Sequence, residues 1–211
     1  MLVVREGMFM NTGFLYRKAT QSLNYFAIKE GGTINRMKAI KLVWLSERFQ
    51  LRKFGRLIFN DTYYALKNGS VASNTKNIAY LNEQFLEEDE LSYGREFLSH
   101  ADVHDYSSTR NADLKVFCTS ELDAFELIYS EFGKFNQFEL SELSHDYPEW
   151  KKFESNFTPN NQSKRFPIDY NDFFCNPNSN RHNLFKGLDH QIFIETENFL
   201  ESSKEYFQNN I

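Results

Sequence analysis

Apolar residues in the first part of the chain recur every three or four positions, the period of one helix face. Leu15, Ala19, Leu23, Phe26 and Ala27 form such a stripe; Thr12 precedes it as a candidate N-cap, and Gly31-Gly32 ends it where a left-handed cap is wanted. A second helix is expected from Thr33 or Asn35 to Gly55, packed antiparallel to the first. Its Met37, Ile40, Val43, Trp44 and Leu51 face inward, while Lys38, Lys41, Arg48 and Arg52 face water. The pattern then changes. From Gly55 to Val71, GRLIFNDTYYALKNGSV sets β-branched and aromatic residues between the turn pairs Asn60-Asp61 and Asn68-Gly69, as a short strand or hairpin should.

Helical spacing returns after Ser73 or Asn74 through Ile78, Leu81 and Phe85, and stops at the acidic run EEDE, expected to be a solvated end or loop. Residues 92–118 are ambiguous, with enough alternation and turn chemistry in VHDYSSTRNADLKVF for a second small hairpin. Ser120 with Asp123 then opens a helix carrying Leu122, Phe125, Tyr129 and Phe132 on one face, closed by Gly133. Asn136 with Glu139 repeats the capping pattern for NQFELSELSHD, and Pro148 limits its extension. Residues 155–183 are rich in Asn, Ser and Pro and read as a long connection with one helical turn at DYNDFF; a last helix from Asp189 would align Ile192, Phe199 and Tyr206. The fold class expected is mainly α, an α+β chain with one or two small β hairpins.

With 41% hydrophobic residues, including 22 Phe and 11 Tyr, a chain of 211 residues can fill a core without staples. No run approaches the roughly 18 apolar residues of a membrane span, and Arg5 and Glu6 interrupt the start where a signal peptide would stay apolar, so a cytoplasmic protein is expected. Cys118 and Cys175 lie far apart and read as buried free thiols. The net charge of −5 is uneven: residues 1–60 hold eleven Lys and Arg against three Asp and Glu. That imbalance fits either attraction between the two parts of the chain or a basic face offered to an acidic partner, nucleic acid included.

Candidate chemistry is sparse. The glycine-bounded stretch lacks the spacing and the lysine-serine pair of a phosphate-binding loop. His100 and His104, with Asp102 and Asp105, have a spacing that could serve a metal, yet a third ligand at a fixed offset is missing and two surface histidines are the plainer reading. Either cysteine could act as a nucleophile if His145 came near, although neither sits in a nucleophile signature. The carboxylate pairs Glu139 with Glu142 and Glu87 with Glu88 fall where helix starts and solvated ends want negative charge. DYNDFF is apolar inside a polar loop, as a docking patch or a clasp over the core would be.

Taken in order, KAIKLVWLSERFQLRKFGRLIFNDTYYALKNGSVASN and, some fifty residues later, ELDAFELIYSEFGKFNQFELSELSHDYPEW resemble the Panacea domain, the family of SocA-like antitoxins and phage-associated GepA-like proteins. The likeness covers roughly residues 14–152. Its lysine-aromatic pair falls on Lys41 and Trp44, its hairpin on Gly55, Asp61, Ala65 and Gly69-Ser70-Val71, and its later signature on Leu140, Ser141, His145 and Trp150. Ser70 stands where the family usually has proline, which loosens the hairpin exit by about 0.4–1 kcal/mol through the unfolded state.

The resemblance implies a compact helical domain over residues 12–152, with a C-terminal loop and helix over 153–211 packing on it. It also implies an antitoxin that neutralises a protein toxin by direct binding, with a protease as a further partner if the chain acts as an adaptor. No catalytic activity, cofactor, metal or membrane partner is expected. The signature residues make sense as architecture: Asp61 bonding turn amides, Gly55 and Gly69 taking positive φ, and His145 with Trp150 fixing a helix exit. The partner surfaces expected are the basic face of the second helix (Lys41, Arg48, Arg52) and the loop patch Tyr170, Phe173 and Phe174. Two other classes stay open: a nucleic-acid-binding regulator using that basic helix, and a metal or thiol hydrolase around His100, His104 and Cys118.

Overall fold

The computed structural model describes residues 13–161, 164–177 and 184–185. The fold is organised around the second helix, α2 (Arg36–Phe54). Asn35 starts it by accepting from the amides of Met37 (3.1 Å) and Lys38 (3.4 Å). Gly55 ends it in the left-handed conformation at φ 65°, its N–H donating to the Leu51 carbonyl at 2.9 Å. Every side chain from Lys38 to Arg52 is buried. That overturns the amphipathic expectation: Lys38, Lys41, Arg48 and Arg52 do not face water, because α2 is covered on all sides.

The covering elements are α1 (Tyr16–Lys29), α3 (Ser73–Ala79), α5 (Thr119–Phe132), α6 (Gln137–Ser144) and the hairpin strand β3 (Gly69–Ala72), which pairs with β2 (Tyr63–Leu66). Ala19, Leu23, Phe26 and Ala27 of α1 are fully buried, as their spacing predicts, whereas Leu15 is partly exposed; Thr12 lies outside the described residues. Gly31 and Gly32 both take positive φ at the end of α1. The capping box of Asn136 and Glu139 forms as expected. The α5 box is shifted two residues: Cys118 is the cap and Glu121 the third helical residue, rather than Ser120 and Asp123. EEDE is not an end but the first turn of α4 (Glu88–Phe97), where Glu88, Asp89 and Glu90 sit at the positive pole of the helix dipole.

Two small antiparallel sheets complete the fold, which is mainly α. In the first, β5 (Asp105–Ser108) lies between β1 (Thr33–Asn35) and β4 (Leu98–His100), with Ile34 opposite Tyr106 and His100 opposite Tyr106 on the other side. The ambiguous stretch 92–118 therefore holds the second hairpin, although only β5 falls within VHDYSSTRNADLKVF, and β1 extends it through three residues too short to show a period. In the second sheet β2 lies between β3 and the two-residue β6 (Phe166–Pro167). No described helix is long and apolar enough to cross a membrane.

Leu57-Ile58-Phe59 is not a strand. Its ladder is replaced by one buried carboxylate: Glu47 of α2 accepts from the amides of Ile58 (2.5 Å) and Phe59 (3.3 Å). Burial pushes Glu47 up to about 8, and the two amide bonds only partly oppose this. Burial likewise raises Asp61 and Glu149, and holds Lys41 down at about 7. The signs oppose each other. A raised carboxyl binds its proton in the folded state, so its stabilising share is present at low pH and is lost as pH climbs from the unfolded carboxylate range to about 8. A lowered lysine penalises folding below about 7 and relents as pH rises towards 10.5. Glu47→Gln should therefore gain stability relative to the natural chain between pH 5 and pH 8, on the order of 2–4 kcal/mol. Thermal melts at both pH values measure the change, and identical pH profiles would refute the assignment.

Candidate functional site

The sequence signature converges on one object, the β2–β3 turn. Tight pairing of Leu66 with Gly69 leaves the carbonyls of this turn needing donor partners, and side chains from three helices supply them. Trp150 Nε1, on α7 (Pro148–Lys151), donates to the Leu66 carbonyl at 2.7 Å. His145 Nε2 meets the Lys67 carbonyl at 3.2 Å, and Ser141 Oγ donates to the Asn68 carbonyl at 2.9 Å. Lys41 Nζ, from α2, donates to the Ser70 carbonyl at 2.9 Å and to Ser144 Oγ at 3.2 Å. The His145 and Trp150 rings stack 3.8 Å apart, so the two donors fix each other's aim. Burial is the first cause that holds His145 below its usual range, followed by the charge of Lys41.

Gly69 is the pivot of this clamp. Its φ is 97°, and a Cβ there would stand 1.7 Å from Ser144 Oγ and 2.4 Å from Lys41 Nζ. The residue must be glycine both for conformation and for space. Asp61 serves a different junction. Buried beneath the hairpin, it accepts from the amides of Thr62 (2.6 Å), Asn74 (2.8 Å) and Thr75 (2.8 Å) and from Thr75 Oγ1 (2.6 Å). It is a remote N-cap for α3, whose own cap position is Ala72, with no side chain able to accept. The chain reaches Asp61 by turning through Asn60 at φ 52°. Ala65 and Leu140 are fully buried in the packing around the hairpin. Val71 is half-buried on β3.

The other residues singled out from the sequence are dispersed. Arg48 and Arg52 are buried and hold the chain after α7. Arg48 Nε donates to Glu149 Oε1 at 3.0 Å and its guanidinium lies 4.7 Å from the Tyr147 ring centre. Arg52 donates to the Cys175 carbonyl (2.8 Å), Asn176 Oδ1 (2.7 Å) and the Phe185 carbonyl (3.0 Å). A basic partner-binding face made of Lys41, Arg48 and Arg52 does not exist on the surface. Nor is Phe173 an exposed patch: it is fully buried against Tyr63, with ring centres 5.2 Å apart, and Tyr170 Oη donates to the Asp61 carbonyl. Of the two readings of DYNDFF, the clasp over the core is the one observed, formed by the 3-10 turn Tyr170–Phe174. The helix expected from Asp189 lies outside the described residues.

His100 and His104 do not form a pair. His100 Nδ1 lies 2.8 Å from Arg36 Nη2, and His104 contributes its carbonyl to the Arg36 amide at 2.8 Å. Among the described residues no group of three or more His, Cys, Asp or Glu could hold a metal. Cys118 and Cys175 are free but exposed, which corrects the expectation of core thiols. Cys118 is the α5 cap and Cys175 offers its carbonyl to Arg48 and Arg52. Glu47, Glu149 and Arg36 were missed. Glu47 carried a readable signal, since it interrupts the inward stripe between Trp44 and Leu51.

Ser70 has a buried hydroxyl with no hydrogen-bond partner, and its outward carbonyl on Lys41 marks it as the non-hydrogen-bonded member of its cross-strand pair with Ala65. Its N–H therefore also points away from β2, and a proline would remove no ladder bond. Ser70→Pro should raise stability by about 0.4–1 kcal/mol, whereas Gly69→Ala should cost more than about 2 kcal/mol. Urea unfolding of both variants checks the pair; a tolerated Gly69→Ala would contradict the clamp geometry.

No curated protein and no solved structure matches the chain. The family model described as "Antitoxin SocA-like, Panacea domain" matches residues 40–151, a span that runs from α2 to α7 and holds every clamp donor together with the hairpin they grip. On that match over more than half its length, the chain belongs to the SocA-like antitoxin family of Panacea-domain proteins.

Proposed function

We propose that this protein is the antitoxin of a toxin–antitoxin pair and neutralises a partner toxin by non-catalytic, direct protein association. The observation that carries the reading is the family match over residues 40–151. The clamp is consistent with it: Lys41, Ser141, His145 and Trp150 spend their donors on backbone carbonyls of the hairpin, a structural use of groups that an enzyme would turn towards substrate. The partner surface must be sought away from the basic residues of α2. Exposed apolar side chains at Phe85, Val103 and Phe138 offer anchors of the kind that protein interfaces bury. A nucleic-acid-binding reading loses its main support, because the helix meant to carry it keeps Lys38, Lys41, Arg48 and Arg52 inside. Occlusion of the toxin, locking of an inactive form and delivery to a protease are three modes of the same association.

Co-expression with the adjacent gene tests the proposal. A toxic neighbour whose growth arrest is relieved by this chain, with the two proteins co-eluting as a stable complex, is the expected result. A neighbour that stays toxic, or is harmless, and forms no complex would contradict it. Within a rescuing pair, Phe138→Asp should weaken the complex if α6 carries an anchor, while leaving the melting temperature of the free protein nearly unchanged.

A further inference from the structure

A cavity of about 500 Å³ opens beside the clamp, between the first turns of α2, the β2–β3 turn and α3. This is the size of a small-molecule site. Ile40, Leu66, Val71 and Tyr80 give it apolar walls, and Tyr80 is itself partly exposed at the rim. Its polar lining residues are one-sided: Lys41, Lys67 and Lys76 are basic and Asn68 is an amide, and no carboxylate residue is among them. Lys41 is 1% exposed and donates to two neutral acceptors, the Ser70 carbonyl and Ser144 Oγ. The neutral amine has two N–H donors and the ammonium three, so these two acceptors match the neutral form and the charged form carries one donor more.

We propose that this cavity is a binding site for a small amphipathic carboxylate, an aryl-alkanoate in size, whose apolar body packs on Ile40, Leu66, Val71 and Tyr80 and whose anionic head is held by Lys41, Lys67 and Lys76. The assignment goes beyond neutralisation and does not depend on it. A buried lysine without an anionic partner is costly, and an incoming carboxylate supplies that partner in a setting where charge-assisted hydrogen bonds are strong. Of the groups around Lys41, Lys67 from the β2–β3 turn and Lys76 from α3 favour an anion, whereas His145 at the end of α6 is held towards its neutral form by burial and by Lys41, with Glu142 acting on it in the opposite sense. Burial leaves Lys41 titrating at about 7, so a bound anion, which favours the charged amine, draws a proton onto it above that pH. The occupant also touches the residue that holds the hairpin exit, which ties ligand occupancy to the clamp.

The test uses the full-length chain with indole-3-propionate as probe and indole-3-propionamide as its uncharged control, by calorimetry in buffers of different ionisation enthalpy. The acid should bind at least about tenfold more tightly than the amide, with uptake of most of one proton at pH 8 and almost none at pH 5.5. Lys76→Glu, an exposed change, should weaken the acid by about three- to tenfold. Val71→Trp, which fills the cavity, should abolish binding. Equal affinities for acid and amide, no heat with either, or unchanged binding in both variants would overturn the assignment.

Discussion

The fold depends on one kind of contact: long basic side chains of a buried helix donating to backbone carbonyls of the elements wrapped around it. Arg36 reaches the Ala79 and Asp102 carbonyls, Lys38 that of Gly133, Lys41 that of Ser70, and Arg48 and Arg52 share that of Cys175. Loops and short strands cannot satisfy their own carbonyls, and burying them unpaired costs on the order of 1–3 kcal/mol each. A lysine or arginine stem crosses several ångströms of apolar packing before presenting its donors. The helix thus acts as a spine whose cations fasten a chain in which the described residues form two small sheets.

The same contact explains where the acidic groups go. Glu149 meets Arg48 with both side chains fully buried, and Glu47, lacking a cation, takes its hydrogen bonds from the Ile58 and Phe59 amides instead. Donor and acceptor surpluses of the irregular backbone are therefore met from one helix, basic residues serving carbonyls and Glu47 serving amides. Asp61 does the corresponding work for the first turn of α3. Part of the uneven charge along the sequence is met within the chain by the ion pairs Lys18–Glu121, Lys29–Glu126 and Arg48–Glu149.

Local signals were legible and distant ones were not. Asn35, Gly31-Gly32, Gly55 and the Asn136 box act within a few residues of themselves, so their chemistry can be read along the chain. The α5 cap was misplaced because Ser120 with Asp123 and Cys118 with Glu121 satisfy the same spacing, and distant partners distinguish them: Lys18 pairs with Glu121 at 2.6 Å and Gln50 donates to Ser120 Oγ at 3.0 Å. Acidic residues favour both a solvated end and a helix start, hence the reading of EEDE. The burial of the α2 cations was invisible in principle: Lys41 finds its acceptor 29 residues away and Arg52 its acceptor 123 away. The family signature named the clamp residues without disclosing that carbonyls of a single turn were their common target.

Hydrogen–deuterium exchange of Lys41→Met tests the spine most directly, because methionine keeps the stem's bulk and removes the donors. The account predicts faster exchange confined to the hairpin amides of residues 63–72, with α5 and the core of α2 still protected. Hairpin protection equal to that of the natural chain would contradict it, and would mean that packing alone holds the strands to the helix.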